Sequence, residues 1–126
     1  MRRLLDTNVW IDAMSGEPEA THALTIAITD EWCGFSAMTR LEVLSYSGLT
    51  ASDIADWRTL LFGAVEVPIS DVVIEEAARL RRTVRMKTPD AIIAATALLE
   101  NAALVTRIAG DFRRVPNLNV IEPAAI

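Results

Sequence analysis

Short apolar runs alternate with segments of helical periodicity along the whole chain. Each run has the length of one buried strand, and in the segments between them apolar residues recur every three or four positions, as on one face of a helix. Strands joined by helical crossovers predict a three-layer α/β/α domain with a parallel five-stranded sheet covered on both faces. The predicted strands are 3–5, 32–35, 64–67, 103–105 and 118–121, and the predicted helices are 8–14, 17–28, 39–46, around 54–61, around 73–84 and 90–99.

Capping residues mark the starts of the later helices. Ser70 is predicted to cap the fifth helix, because its short polar side chain can accept a hydrogen bond from an amide of the first turn. Thr88 is predicted to cap the sixth, with Pro89 at the first helical position. Residues 90–99 of this helix are apolar nearly all round, which predicts burial between two layers.

Length and composition fit one folded domain over residues 1–126. The apolar share of 52% and the charged share of 23% support one buried core and argue against disorder. No apolar run approaches the roughly 20 residues of a membrane span, and Asp6 interrupts the N-terminal run too early for a secretory signal. The single cysteine, Cys33, suggests a reducing compartment and is interpreted as a small buried hydrophobe. A cytoplasmic location is therefore expected.

The net charge of −5 argues, as a sum, against nucleic-acid binding. An acidic pocket that holds cations would nevertheless present positive charge to a phosphate, so the local distribution matters more. Five aromatic residues are interpreted as core or interface packing, since nothing suggests the alternation with basic residues that a base-stacking platform would require: Trp10, Trp32, Phe35, Trp57 and Phe62. The basic residues form two groups, either of which a solvated surface explains equally well: Arg79, Arg81, Arg82, Arg85 and Lys87, and Arg107, Arg113 and Arg114.

Four acidic residues stand at the ends of predicted elements. Asp6 directly follows the first strand, and Asp111 lies in the loop after Thr106, which ends the fourth strand. Glu42 and Asp90 are each predicted in the first turn of a helix. The carboxyl ends of parallel strands meet at one edge of a sheet, where ligands collect, so these four acids are expected to lie together.

Three of these acids also have ordinary explanations. Asp90 favours a helix N-terminus through the helix dipole, Glu42 fits an exposed helix position, and Asp111 fits a turn around Gly110. Asp6 is harder to explain, because an acid that ends a core strand is costly unless something binds it.

Four carboxylates in one pocket require protons or cations. Two like charges about 4 Å apart repel by roughly 4 kcal/mol at an effective dielectric constant near 20. Hard divalent cations prefer oxygen ligands, so Mg²⁺ or Mn²⁺ is predicted. Zinc is not expected, because His22 and Cys33 are the only histidine and cysteine and do not have zinc-ligand spacing.

Metal-assisted phosphodiester hydrolysis is the chemistry that such a pocket predicts. A bound cation lowers the pKa of water and stabilises the charge that develops on the phosphate, so no side-chain nucleophile is needed. Thr7, Asn8 and Thr106 are expected to orient the acids or waters. Arg107 is a candidate phosphate contact, although a solvated arginine explains it equally well.

Four segments, in order, resemble the motifs of one family. Residues 4–9 (Leu-Leu-Asp-Thr-Asn-Val) resemble the opening of PIN-domain nucleases, particularly the VapC-like toxins of toxin–antitoxin systems. Residues 39–44 resemble the second motif of that family and residues 88–97 the third. Residues 104–107, with 111–112, resemble the fourth. The resemblance covers essentially the whole chain.

The resemblance implies a PIN-like fold, with Asp6, Glu42, Asp90 and Asp111 as both the metal ligands and the catalytic acids. It also implies Mg²⁺- or Mn²⁺-dependent endoribonuclease activity on RNA such as tRNA or rRNA. The implied partners are a second copy of the chain and a small antitoxin that covers an apolar groove of the early helices and reaches the acidic pocket.

One position departs from the family pattern and keeps an alternative open. The fourth motif usually carries an asparagine where this chain has Ile108, whose side chain cannot donate to a carboxylate or position a water. A non-catalytic PIN-like module that binds RNA or protein is therefore the alternative. A phospho-accepting receiver domain fits less well, because no adjacent acid pair precedes a phospho-acceptor, and a phosphatase with an aspartate nucleophile would want an aspartate where Asn8 stands.

Overall fold

The computed structural model describes residues 1–126 as five strands and seven α-helices with a final 3₁₀ turn. The strands are β1 (Arg2–Leu5), β2 (Trp32–Ser36), β3 (Val65–Val67), β4 (Ala103–Val105) and β5 (Val120–Ile121). The helices are α1 (Thr7–Met14), α2 (Pro18–Thr29), α3 (Ala37–Val43), α4 (Ala51–Phe62), α5 (Asp71–Thr83), α6 (Thr88–Leu99) and α7 (Ala109–Phe112), and the 3₁₀ turn is Pro123–Ala125. No helix combines the length and the apolar character needed to cross a bilayer.

The sheet confirms the predicted parallel α/β architecture. Its strand order is β3-β2-β1-β4-β5, and every neighbouring pair is parallel. The chain builds outward from β1 to β3, crosses back through α5 and α6, and continues on the other side of β1 with β4. The strand order therefore reverses between β1 and β4, which is where open parallel sheets place their ligand crevice.

Successive residues of the central strands feed two separate core layers. Leu4 and Leu104 are fully buried against α5 and α6 on one face. Leu5 and Val105 are fully buried on the other face, with side chains of α1, α2 and α4. Side chains alternate across a strand, so two adjacent apolar residues are buried only if helices cover both faces.

Two helix starts differ from the sequence prediction. Ser36 caps α3, because its side chain accepts a hydrogen bond from the Met38 amide at 3.0 Å. This helix therefore begins before Thr39, and Glu42 lies in its last turn, not in the first turn as predicted. Helix α6 begins at Thr88, so Lys87 is its N-cap and Thr88 makes no capping hydrogen bond. The predicted Ser70 cap of α5 is confirmed.

Helix α7 was not predicted, and it changes the setting of Asp111. Asp111 was predicted in a loop, whereas it lies within this four-residue helix. Phe112 of the same turn is fully buried in the core. A single turn is too short to show apolar periodicity, which is why the pattern did not reveal it.

Gly34 leaves room for a tryptophan that lies across β2. A Cβ at Gly34 would overlap the Trp32 indole ring. The guanidinium of Arg2 lies 4.2 Å from the centre of the same ring, and the Arg2 Nη2 atom is 3.0 Å from a Glu100 carboxylate oxygen. Trp32 is therefore held from two sides and cannot move away freely.

Replacing Gly34 with alanine should destabilise the fold by about 1–3 kcal/mol, because overpacking a filled site forces side chains from their rotamers. Urea unfolding measures this change. Gly110→Ala is the matched control, since a Cβ there meets nothing within 4 Å, and it should leave stability unchanged or slightly higher. Adding Trp32→Leu to Gly34→Ala should recover part of the loss. If the losses of stability caused by Gly34→Ala and Trp32→Leu simply add, the Trp32 ring does not obstruct a Cβ at position 34.

Candidate active site

A cleft of about 540 Å³ opens at the carboxyl ends of β1 and β4. Asp6 enters it directly after β1, in line with the reversal of strand order. Three of the four predicted acids line the cleft, and Asp111 does not. The lining residues are Asp6, Thr7, Asn8, Ile11, Leu41, Glu42, Ser45, Tyr46, Asp90 and Ile108.

Asp6 is buried, and three hydrogen bonds hold its carboxylate. The side chain also caps α1, because Oδ1 accepts from the Thr7 amide at 2.8 Å. Oδ2 accepts from Asn8 Nδ2 at 3.1 Å and from Thr106 Oγ1 at 2.9 Å. A carboxylate has about four acceptor positions, so these three donors leave one open, on Oδ1.

Thr106 and Asn8 brace Asp6 as one unit. The Thr106 hydroxyl donates to Asp6 and accepts from Asn8 Nδ2 and from the Ile108 amide, each at 3.2 Å. Asn8 Oδ1 accepts from the Arg107 amide at 3.0 Å, which fixes the orientation of the Asn8 side chain. Both side chains are therefore fixed by further hydrogen bonds, which gives their predicted orienting role a geometric basis.

Thr7 and Thr39 connect the first strand to Glu42. Thr7 Oγ1 donates to Glu42 Oε1 at 2.7 Å, and the Thr39 hydroxyl lies 2.9 Å from the same Thr7 oxygen. Thr7 has a single hydroxyl proton, so Thr39 must be the donor of this second bond. Thr39 is fully buried. Thr39 was not predicted to take part in the site, although its position three residues before Glu42 could have indicated it.

Asp90 lies half-buried on the other wall of the cleft, in the first turn of α6. Burial, and next the charge of Asp111, raise the pKa of Asp90, while the charge of Lys87 lowers it. Asp90 is thus electrostatically coupled to Asp111, even though Asp111 does not line the cleft.

Asp111 and Arg107 lie at the edge of the site. The Asp111 side chain is 73% exposed, with the Arg114 guanidinium 3.9 Å from its carboxylate. The Arg107 side chain leaves the cleft, and its Nε donates to Asp12 at 2.8 Å. The structure therefore brings together Asp6, Glu42 and Asp90, and places Asp111 and Arg107 around them.

The pKa of Asp6 is raised to about 6, and burial of the carboxylate is the largest cause. The hydrogen bonds from Thr106 and Thr7 act against this increase, and the charges of Asp90 and Glu42 add to it. Ionised Asp6 is consequently unfavourable in the fold unless a cation compensates its charge.

The chemistry of the site fits a hard divalent cation. All the charged side chains that line the cleft are carboxylates, and Asp6 keeps one acceptor position open on a buried oxygen. No three acidic, histidine or cysteine side chains are arranged around one point as a complete ligand set. Mg²⁺ does not require such a set, because it is usually held by one or two carboxylates and keeps several waters.

Apolar side chains form another part of the cleft lining, which the sequence pattern did not predict. Leu41, Tyr46 and Ile108 are respectively 60%, 55% and 48% exposed there, next to the half-buried Ile11. The sequence does not show which apolar residues are exposed, and an apolar residue near a helix end is by default expected to lie in the core.

Comparisons with known proteins give one family. The family model described as PIN domain matches residues 3–118. A curated relative, Ribonuclease VapC19 of Mycobacterium tuberculosis, is 29% identical over 122 residues, a match that covers 92% of this chain and 96% of the relative.

Solved structures resemble the chain over nearly its whole length. A chain of a toxin–antitoxin complex from Klebsiella pneumoniae superposes with a TM-score of 0.83 at 33% identity, covering 98% of this chain and 99% of that one. VapBC2 from Rickettsia felis, bound to a promoter DNA fragment, gives a TM-score of 0.83 at 22% identity, covering 97% and 98%. At that identity the second likeness shows the fold alone.

The raised pKa of Asp6 predicts an unusual pH dependence of stability in the presence of a chelator. Between the ordinary pKa of 3.8 and about 6, the folded protein binds more protons at Asp6 than the unfolded chain does. Stability should therefore fall as pH rises through this window, by roughly 2–3 kcal/mol at most. Asp6→Asn cannot titrate, so urea unfolding of both proteins isolates this contribution. Parallel pH profiles for wild type and Asp6→Asn would contradict the prediction.

Proposed function

This chain belongs to the PIN domain family, and on that premise we propose that it is a Mg²⁺- or Mn²⁺-dependent endoribonuclease that acts as the toxin of a toxin–antitoxin pair. The observation that carries the proposal is the buried Asp6 carboxylate, facing Glu42 and Asp90 at the reversal of the strand order. The ribonuclease name of the Mycobacterium tuberculosis relative supports the activity.

Each residue of the site contributes a separate part of the proposed chemistry. A divalent cation held by Asp6, with Glu42 or Asp90, would lower the pKa of water and neutralise charge on the phosphodiester. Asn8 and Thr106 keep Asp6 pointed into the cleft, and Thr7 does the same for Glu42. Asp111, exposed beside Asp90, is proposed to complete the set at the outer side.

Arg85, Lys87 and Arg114 form a basic border beside the acids, which can bind the RNA backbone. Arg114 Nη1 donates to the Val84 carbonyl at 3.0 Å, which joins the two basic groups of the sequence. Lys87 acts electrostatically on Asp90, and Arg85 beside it is exposed. This border supplies local positive charge in a chain whose net charge is −5. It is a better candidate for phosphate contact than Arg107, whose guanidinium is paired with Asp12.

The partners are proposed from the relatives. The Klebsiella pneumoniae structure is a toxin–antitoxin complex, which supports an antitoxin as the partner of this chain. The antitoxin is proposed to cover the apolar groove of the early helices and to reach the acidic cleft. Homodimerisation is proposed on the family resemblance, and tRNA or rRNA is the proposed substrate.

The alternative, a non-catalytic module, rests on Ile108, whose side chain is not needed to hold Asp6 in place. The contact that Ile108 makes with the motif is its backbone N–H, which donates to Thr106 Oγ1 at 3.2 Å. Any non-proline residue supplies that donor. The brace on Asp6 therefore does not depend on the side chain at position 108.

RNA cleavage with Mg²⁺ or Mn²⁺ tests the proposed activity. Wild type should cleave RNA, and a chelator should abolish cleavage. Asp6→Ala should lower the rate by more than about 100-fold, since losing even a partner of a metal ligand costs roughly 10- to 100-fold. Cleavage that survives both the chelator and the substitution would refute the metal mechanism. Asp90→Asn removes a carboxylate without changing the shape of the side chain, so its loss of cleavage would not be caused by misfolding. Asp56→Asn, on the exposed face of α4, is the matched control and should cleave like wild type.

Thr39→Val should raise the Mg²⁺ concentration needed for half-maximal cleavage by roughly 10-fold or more, because it removes the donor that orients the Thr7–Glu42 hydrogen bond. The measurement is a Mg²⁺ titration of the cleavage rate. Thr39→Ser keeps the hydroxyl and should restore near wild-type behaviour. If valine and serine behave alike, the buried hydroxyl has no positioning role.

A further inference from the structure

The cleft combines two kinds of side chain. The acids Asp6, Glu42 and Asp90 line it together with the exposed apolar residues Leu41, Tyr46 and Ile108. Apolar side chains exposed beside a polar centre mark a surface that meets a ligand, because water is a poor partner for them. The carboxylates themselves complement a cation, and they address a phosphate through that cation. A ligand suited to the whole cleft then pairs a phosphate with an apolar group, as a nucleotide does.

Tyr46 is the only aromatic residue that lines this cleft. It follows α3, the helix that carries Glu42, after a turn closed by the Ser45 amide on the Glu42 carbonyl at 3.2 Å. Its position relative to the acids is therefore set by the same short helix. Tyr46 is 55% exposed and belongs to neither core layer, so its side chain is available to a ligand and is not needed for the core.

From this geometry we infer that Tyr46 forms a nucleobase subsite, in which its ring stacks on the base of a nucleotide adjoining the phosphate that the acids address. Leu41 extends the apolar surface beside it. The inference rests on the proposed function, because the anionic group of the ligand is the phosphodiester of the RNA. Every base has a π face, so such stacking accepts all four bases and positions the strand without reading its sequence.

Stacking of this kind predicts a defined loss. Replacing an aromatic residue that stacks on a base typically weakens nucleic-acid binding by about 5- to 100-fold. Tyr46→Ala should therefore lower kcat/KM for a short single-stranded oligoribonucleotide by that factor, whereas Tyr46→Phe should keep it. Phe62→Ala is the matched control, because Phe62 is 92% exposed at the end of α4 and does not line the cleft. It should cleave like wild type.

An abasic substrate separates stacking from a general effect of the substitution. After the cut site of one oligoribonucleotide is mapped with wild type, the base on either side is removed in turn. Removal at one of these two positions should slow wild type by about as much as Tyr46→Ala does, and should slow Tyr46→Ala little further. Fully additive losses, or a Tyr46→Ala enzyme that matches wild type on the intact strand, would overturn the subsite.

The remaining outcomes are also decisive. If wild type cuts no RNA, the proposed function is refuted. The subsite is then tested by binding of the same oligoribonucleotide, measured by fluorescence anisotropy. Equal affinity of wild type and Tyr46→Ala overturns the subsite. If Tyr46→Ala instead cleaves RNA normally but changes the mass of the protein in solution, Tyr46 belongs to a protein interface and the subsite is wrong.

Discussion

Desolvation of the Asp6 carboxylate is the constraint on which the rest of the site depends. Placing this acid at the end of a core strand costs free energy, and the surrounding chain offsets only part of it through Thr7, Asn8 and Thr106. Thr7 and Asn8 belong to α1, and Thr106 directly follows β4, so the hydrogen bond from Thr106 also joins the ends of β1 and β4. The uncompensated part remains as a raised pKa and an open acceptor, which is the condition for binding a cation.

The parallel topology explains why acids so far apart in sequence share one cleft. Strand β1 is central, and the chain leaves it in both directions, so β2 and β4 end beside it at the same edge. Glu42 arrives from the β2 side on α3, and Asp90 arrives from the β4 side at the start of α6. A site assembled in this way requires little from any single loop, because each acid lies within or next to a regular element.

Local pattern was enough for the architecture and for three of the acids. Apolar runs such as Leu4-Leu5 predicted the buried strands, and an acid directly after one, Asp6, indicated the candidate site. The pattern failed where the deciding contact is tertiary. The hydroxyl of Thr39 matters only because Thr7 lies 2.9 Å away, and Asp111 looked equivalent to Asp90 until its 73% exposure was visible. Tyr46 was overlooked for the same reason, since exposure is a property of the folded chain.

The link between Arg114 and the Val84 carbonyl has a mechanical consequence. It ties the residues after Asp111 to the loop that precedes Asp90, so the two segments that carry these interacting acids are joined directly. Asp6 and Glu42 are joined in a similar way through Thr7. The charges of Asp90 and Glu42 raise the pKa of Asp6, so the chain holds these carboxylates in place against their mutual repulsion. The folded state therefore carries the electrostatic cost of the site, and a bound cation would offset that cost as added stability.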